Sequence, residues 1–136
     1  RTVISDAVER DDAKVKRIVL CAGQVYYDLA AGRKERGKEE EVAIVRVEQL
    51  YPFPYEVLAA ELSRYTNATE IMWTQKEQKN QGAWYQIRHR IEAVSTDKQK
   101  VLFAGRPASA SPAVGYMSKH AAQLKALVDD AFNLEA

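Results

Sequence analysis

Four short runs rich in aliphatic and β-branched residues punctuate this chain, and each gives way to a segment whose apolar residues recur at helical spacing. The runs are Arg17-Ile18-Val19-Leu20-Cys21-Ala22, Val42-Ala43-Ile44-Val45-Arg46-Val47, Glu70-Ile71-Met72-Trp73-Thr74 and Lys100 to Ala104. The first, apolar at consecutive positions and ended by Gly23, suits a strand covered on both faces. Helices are predicted over Gln24 to Arg36, with Val25, Tyr26, Leu29 and Ala30 on one side, and from Pro54 to about Tyr65, with Leu58, Leu62 and Tyr65. A third stripe joins Trp84, Ile87, Ile91 and Val94. A fourth follows Ser118, its candidate cap, with Ala121, Leu124, Val128, Ala131 and Phe132 facing inward. Strict alternation of strand and helix predicts an α/β fold: a mainly parallel, open sheet with helices on both faces.

With 136 residues the chain fits one such domain. Residues 17–136 are assigned to it. Residues 1–16 are read as a lead-in from a missing upstream domain, with Val3-Ile4 as a candidate edge strand and nothing to close a core. The opening at Arg1 rather than Met is read as the mark of a fragment. Lys+Arg at 20 against Asp+Glu at 19 leaves a formal charge of +1, which gives no global field to draw nucleic acid or an anionic bilayer, and no apolar run has the length of a membrane span. Cys21 is the single cysteine, so no intramolecular disulfide is expected, and the histidines, His89 and His120, are too far apart for zinc-ligand spacing.

In an open parallel sheet, ligands and partners meet the edge outside the carboxyl ends of the strands. The segments entering the predicted strands, such as Lys14-Val15-Lys16-Arg17 and Asp97-Lys98-Gln99-Lys100, are charged and read as solvated. Those leaving them mix glycine, proline, amides and isolated charges: Gly23-Gln24, Glu48-Gln49-Leu50-Tyr51-Pro52, Gln75-Lys76-Glu77 with Asn80-Gln81-Gly82, and Gly105-Arg106-Pro107. This edge is therefore the predicted functional one. Its binding or docking candidates are Glu48, Gln49, Lys76, Glu77, Asn80 and Gln81, together with Arg106, Ser109 and Ser111 in the small-residue stretch from Val101 to Met117.

No complete active site emerges, and no catalytic or metal-binding residue is predicted. Cys21 ends an apolar strand, where a free cysteine is usually a small buried hydrophobe. His89 and His120 fall on helical surfaces, and Trp73 and Trp84 on core positions. Glu48 and Glu77 stand at strand ends, where a salt bridge or a subunit contact is the plainer reading than a catalytic pair. The Gly23-Gln24 turn has neither a Gly-x-Gly-x-x-Gly pattern nor a P-loop lysine. Arg106 has two readings. Held among small residues, its guanidinium loses little freedom on gripping a carboxylate or phosphate; equally, it pairs with a carboxylate of its own chain or of a neighbouring domain.

Four segments together carry a resemblance: Cys21-Ala22-Gly23-Gln24-Val25-Tyr26-Tyr27-Asp28-Leu29, Arg46-Val47-Glu48-Gln49-Leu50-Tyr51-Pro52-Phe53-Pro54, Gln78-Lys79-Asn80-Gln81-Gly82-Ala83-Trp84 and Gly105-Arg106-Pro107-Ala108-Ser109-Ala110-Ser111-Pro112-Ala113-Val114-Gly115. From about Val15 onward the chain resembles the carboxyl-terminal domain of the 2-oxoglutarate dehydrogenase first components, thiamine diphosphate-dependent decarboxylases. The resemblance implies a transketolase-type carboxyl-terminal domain that is inactive alone, with thiamine diphosphate and Mg²⁺ held by the preceding domains of the same chain. It further implies a role in completing the subunit and homodimer of an oxidoreductase that decarboxylates 2-oxoglutarate and succinylates the lipoyl group of its partner, dihydrolipoyl succinyltransferase. The compartment implied is the cytoplasm of a bacterium, or the mitochondrial matrix in a eukaryote. An alternative is an effector-binding module for an anionic ligand such as acetyl-CoA or AMP, using Arg106, Ser109 and Ser111.

Overall fold

The computed structural model describes residues 2–106 and 117–134, without the side chains of Arg106 and of residues 117–120. In chain order it comprises β1 (Val3–Ile4), a single 3-10 turn (Asp12–Lys14), β2 (Arg17–Cys21), α1 (Val25–Glu35), β3 (Val42–Val47), α2 (Tyr55–Leu62), β4 (Glu70–Gln78), α3 (Trp84–Val94), β5 (Lys100–Arg106) and α4 (Met117–Phe132). The strands form one sheet in the order β1-β3-β2-β4-β5. Among the described strands only β1 runs antiparallel to its neighbour; β3, β2, β4 and β5 are parallel. The predicted α/β architecture is the one observed.

Successive residues of a strand point to opposite faces, and the central strands are apolar at nearly every position, so two cores form. Ile18, Leu20, Ala43, Val45, Ile71 and Trp73 face one side and pack against Leu58 and Leu62 of α2 and Trp84, Ile87 and Ile91 of α3. Val19, Cys21, Val42, Ile44 and Met72 face the other, against Val25 and Leu29 of α1 and Leu127, Val128, Ala131 and Phe132 of α4. Right-handed crossovers require this division. The chain steps one way along the sheet from β2 to β3, placing α1 on one face. It then reverses to β4 and β5, placing α2 and α3 on the other.

Four sequence expectations change. The opening segment does contribute to a core: Val3 and Val15 are buried with the α2/α3 layer. It is also locked by charge. The Asp6 carboxylate accepts from Arg10, from Arg33 Nη1 at 2.5 Å and Nη2 at 3.1 Å, and from the backbone N–H of Ile44 at 2.9 Å and Val8 at 3.1 Å. Secondly, Arg17 is not solvated. It is buried at the start of β2, where Nε donates to Glu70 Oε1 at 2.9 Å and Nη1 donates to the carbonyls of Asp130 and Ala131, each at 2.9 Å. Those carbonyls belong to the last turn of α4, which has no intrahelical donors for them, so Arg17 serves as its cap.

Thirdly, β4 runs past Thr74 to Gln78, because Gln75 and Gln78 are buried amides rather than loop residues. The strand is irregular between Thr74 and Gln78 in its pairing with β5. Finally, α4 already includes Met117 and Ser118, so Ser118 is a helical residue rather than the cap, and Leu127 takes an inward position while Ala121 is exposed.

Candidate functional site

Parallel pairing brings the ends of β2, β3, β4 and β5 to one edge of the sheet. The direction of chain travel reverses between β2 and β4, so the segments leaving these neighbours diverge and open a crevice. Gly23 turns the chain out of β2 with φ +74°, a left-handed conformation that side chains strain to adopt. The crevice measures about 230 Å³ and is lined by Ala22, Gly23, Gln24, Val25, Lys76 and Glu77. Lys76 and Glu77 thus stand together with the Gly23-Gln24 turn, as the sequence places them on one edge. Lys76 Nζ is 2.9 Å from Asp28 Oδ2, which ties the end of β4 to α1.

At the end of β3, Glu48 is not paired with Glu77. Its Oε2 accepts from the Gly23 N–H at 3.2 Å and lies 3.7 Å from Arg46 Nε, the salt-bridge arrangement. The Arg46 guanidinium in turn sits 4.4 Å from the centre of the Tyr26 ring. Gln49 is exposed, and the loop continues to Tyr51, whose hydroxyl is hydrogen-bonded to Gln86 of α3. Asn80 and Gln81 are exposed in the turn after β4. Ser109 and Ser111 lie outside the described residues, as do the side chains of Arg106 and His120.

What shapes the β4 turn is a residue the sequence reading passed over. Gln75 Nε2 donates to the carbonyls of Gln78 and Gln81 at 2.8 Å each and of Glu77 at 3.3 Å, while Oε1 accepts from Trp73 Nε1 at 2.9 Å. One buried amide therefore organises the polar segment from the inside. Gly82, with φ +69°, completes the turn, and a Cβ there would lie 3.1 Å from Gln75 Oε1. The available signal was positional: Gln75 falls two residues after Trp73, on the same face of the strand. Sequence reasoning also missed the exposed aromatics of this edge, Tyr27, Tyr51, Tyr55 and Tyr85.

The electrostatics speak against a thiolate nucleophile. Burial pushes the Cys21 thiol up to about 12, the Glu48 carboxylate adds to the effect, and Arg46 opposes it only in part. Trp73 and Trp84 are buried as expected, and His89 is exposed. Among the described residues no group of His, Cys, Asp and Glu is arranged to hold a metal ion, and no helix is long and apolar enough to cross a membrane.

A family model described as 2-oxoglutarate dehydrogenase C-terminal matches residues 1–132. The chain belongs to this family. It is 56% identical over 131 residues to the 2-oxoglutarate dehydrogenase E1 component of Cupriavidus necator, with 96% of the chain covered. It is similarly 50% identical over 133 residues to the E1 component of Haemophilus influenzae and 44% identical over 135 residues to that of Coxiella burnetii, with 98% of the chain covered in each case. The chain spans 14% of the length of these relatives. The resemblance drawn from the strand-end segments is thus the family found, and the matched unit takes in the opening segment whose Val3 and Val15 enter the core.

Proposed function

We propose that this chain is the carboxyl-terminal, non-catalytic domain of a 2-oxoglutarate dehydrogenase first component, docked through the carboxyl edge of its sheet so as to complete the subunit and homodimer. The observation that carries the reading is 56% identity across 131 residues to an E1 component of which the chain makes up 14%. In the full-length polypeptide the activity is decarboxylation of 2-oxoglutarate with transfer of the succinyl group to the lipoyl group of dihydrolipoyl succinyltransferase. The bacterial sources of the relatives favour a cytoplasmic setting.

Thiamine diphosphate and Mg²⁺ are assigned to the preceding domains. The described donors at the carboxyl edge do not fit a magnesium-bound diphosphate: Glu48 is committed to Gly23 and Arg46, and Lys76 to Asp28. The contribution of this chain's own residues is mechanical. Gln75 fixes the β4 turn, Glu48 fixes the β2 turn against β3, and Lys76 fixes β4 against α1, so that four strand ends present one preorganised surface.

The test is turnover of 2-oxoglutarate with thiamine diphosphate and Mg²⁺. The full-length polypeptide is expected to decarboxylate 2-oxoglutarate, and the same polypeptide truncated before residue 1 of this chain to lose activity. Turnover by residues 1–136 alone would overturn the assignment of the chemistry to the missing domains.

A further inference from the structure

The exposed tyrosines carry an inference that rests on the reading above and deepens it. Among the described residues, the large hydrophobic side chains left in water are Tyr27 at 64%, Tyr85 at 59%, Tyr51 at 55%, Val57 at 52% and Tyr55 at 42% of full exposure. Each follows the carboxyl end of a strand. Tyr27 lies in the first turn of α1, Tyr51 in the loop after β3, Tyr55 and Val57 in the first turn of α2, and Tyr85 in the first turn of α3. The opposite edge contributes none of them and instead exposes Lys14, Lys16, Lys98 and Lys100. Scattered apolar residues on a surface need no explanation, but their confinement to one edge does.

Two of the charges on this edge are already answered inside the domain, Lys76 by Asp28 and Glu48 by Arg46 and the Gly23 N–H, while Glu77 lies exposed in the crevice. A partner covering the tyrosines therefore removes water from phenol rings and amides rather than from these paired ions, which is the composition of an interface core. Tyrosine is also among the residues on which binding energy concentrates. The occupant follows from length. Because the chain spans 14% of its relatives, the rest of such a polypeptide is tethered to this domain and meets the edge at a high effective concentration, an advantage that no separate partner has. We propose that Tyr27, Tyr51, Tyr55 and Tyr85 form the seat on which the preceding part of the same polypeptide docks, with the phenol rings rather than the ion pairs supplying the contact energy.

Hydroxyl-radical footprinting of the full-length polypeptide tests this. The four tyrosines are expected to oxidise about tenfold more slowly than tyrosine in an unstructured peptide, at a rate unchanged by dilution. In the same polypeptide, Tyr55→Ser with Tyr85→Ser is expected to raise the rate of proteolytic release of this domain about tenfold, while amide exchange at Ile18–Leu20 stays slow and Lys98→Ala has no effect. Tyrosines that oxidise at the unstructured rate overturn the proposal, as does unaltered release in the double variant. Protection lost on dilution assigns the seat to a second copy and overturns it too. Wild-type turnover of 2-oxoglutarate is read separately, so failure of the docking seat and failure of the enzymatic reading are distinguishable.

Discussion

Gln75 Nε2 stands 2.8 Å from the carbonyl oxygen of Gln81, six residues along the chain, and this bond closes the turn that leaves β4. The same amide accepts from Trp73 Nε1 and donates to the Gln78 carbonyl, so its removal orphans several buried polar groups at once. Gln75→Leu, which preserves size but makes none of these bonds, is expected to lower stability by about 2–3 kcal/mol, each unmet buried group costing roughly 1–3 kcal/mol with partial relief by water. Equilibrium urea unfolding measures it. A loss below about 0.5 kcal/mol would mean that the turn holds itself.

Asp6 is the acid-sensitive point. Burial works to raise its pKa, but the bonds from Arg33 and the N–H groups of Ile44 and Val8 outweigh it, and the carboxyl is held below its ordinary value. A depressed folded pKa means that the stabilisation is complete above the unfolded pKa of about 3.9 and is lost as pH falls through the folded value. Thermal unfolding of wild type should therefore drop steeply below about pH 4. Asp6→Asn, which strands the buried Arg33 charge, should cost about 3–5 kcal/mol at pH 7 and flatten that acid limb. An acid limb of unchanged slope in Asp6→Asn would place the acid sensitivity elsewhere.

The layers of the fold were legible because Ile18, Val19, Leu20 and their counterparts in β3 are apolar at consecutive positions, a pattern few structures other than a doubly covered strand satisfy. The gathering of the strand ends at one edge was legible for a topological reason, since parallel strands must all end on the same side. Arg17 and Asp6 were not legible, and for one shared reason. Each is polar, so sequence patterning assigns it to solvent, and its burial is licensed only by partners far along the chain: Asp130 and Ala131 for Arg17, Arg33 and Ile44 for Asp6. The exposed tyrosines escaped in the opposite sense. Tyr26 was placed on the inward side of its helix with Val25 and Leu29 and is half-buried beside Arg46, whereas Tyr27, left off that side, is exposed, and nothing in a helical window marks an outward aromatic as part of a surface.

Gly32 tests the packing of α1 on α4. In an open helix, Gly→Ala gains about 1 kcal/mol. Here an added Cβ would run into Val128 Cγ1 and come within 3.1 Å of Arg36 Nη1, whose guanidinium also binds Asp129 of α4. Gly32→Ala is therefore expected to destabilise by about 1–3 kcal/mol, with the sign opposite to helix propensity. Combining it with Val128→Ala should recover part of that loss, because the added methyl then occupies the space vacated. A double-mutant cycle by urea unfolding reads the coupling, and strict additivity would show that the two helices do not meet at this point.

Cys21 makes the last prediction, in two measurements of one shift. With the folded thiol pushed up to about 12 by burial, the native protein is expected to react negligibly with a thiolate-seeking reagent at pH 8, whereas in denaturant, with an ordinary pKa of about 8.5, it should react within the normal range. The same shift sets an alkaline limit to stability. Above about pH 8.5 the unfolded thiol ionises while the folded one stays protonated, so the unfolded state binds fewer protons and stability falls as pH rises toward the folded value. Cys21→Ala removes this term, at the cost of a small cavity between β2 and the α1/α4 layer, and its stability should decline less between pH 8.5 and pH 10 than that of wild type. Rapid labelling of the native thiol at pH 8 would contradict the burial on which both expectations stand.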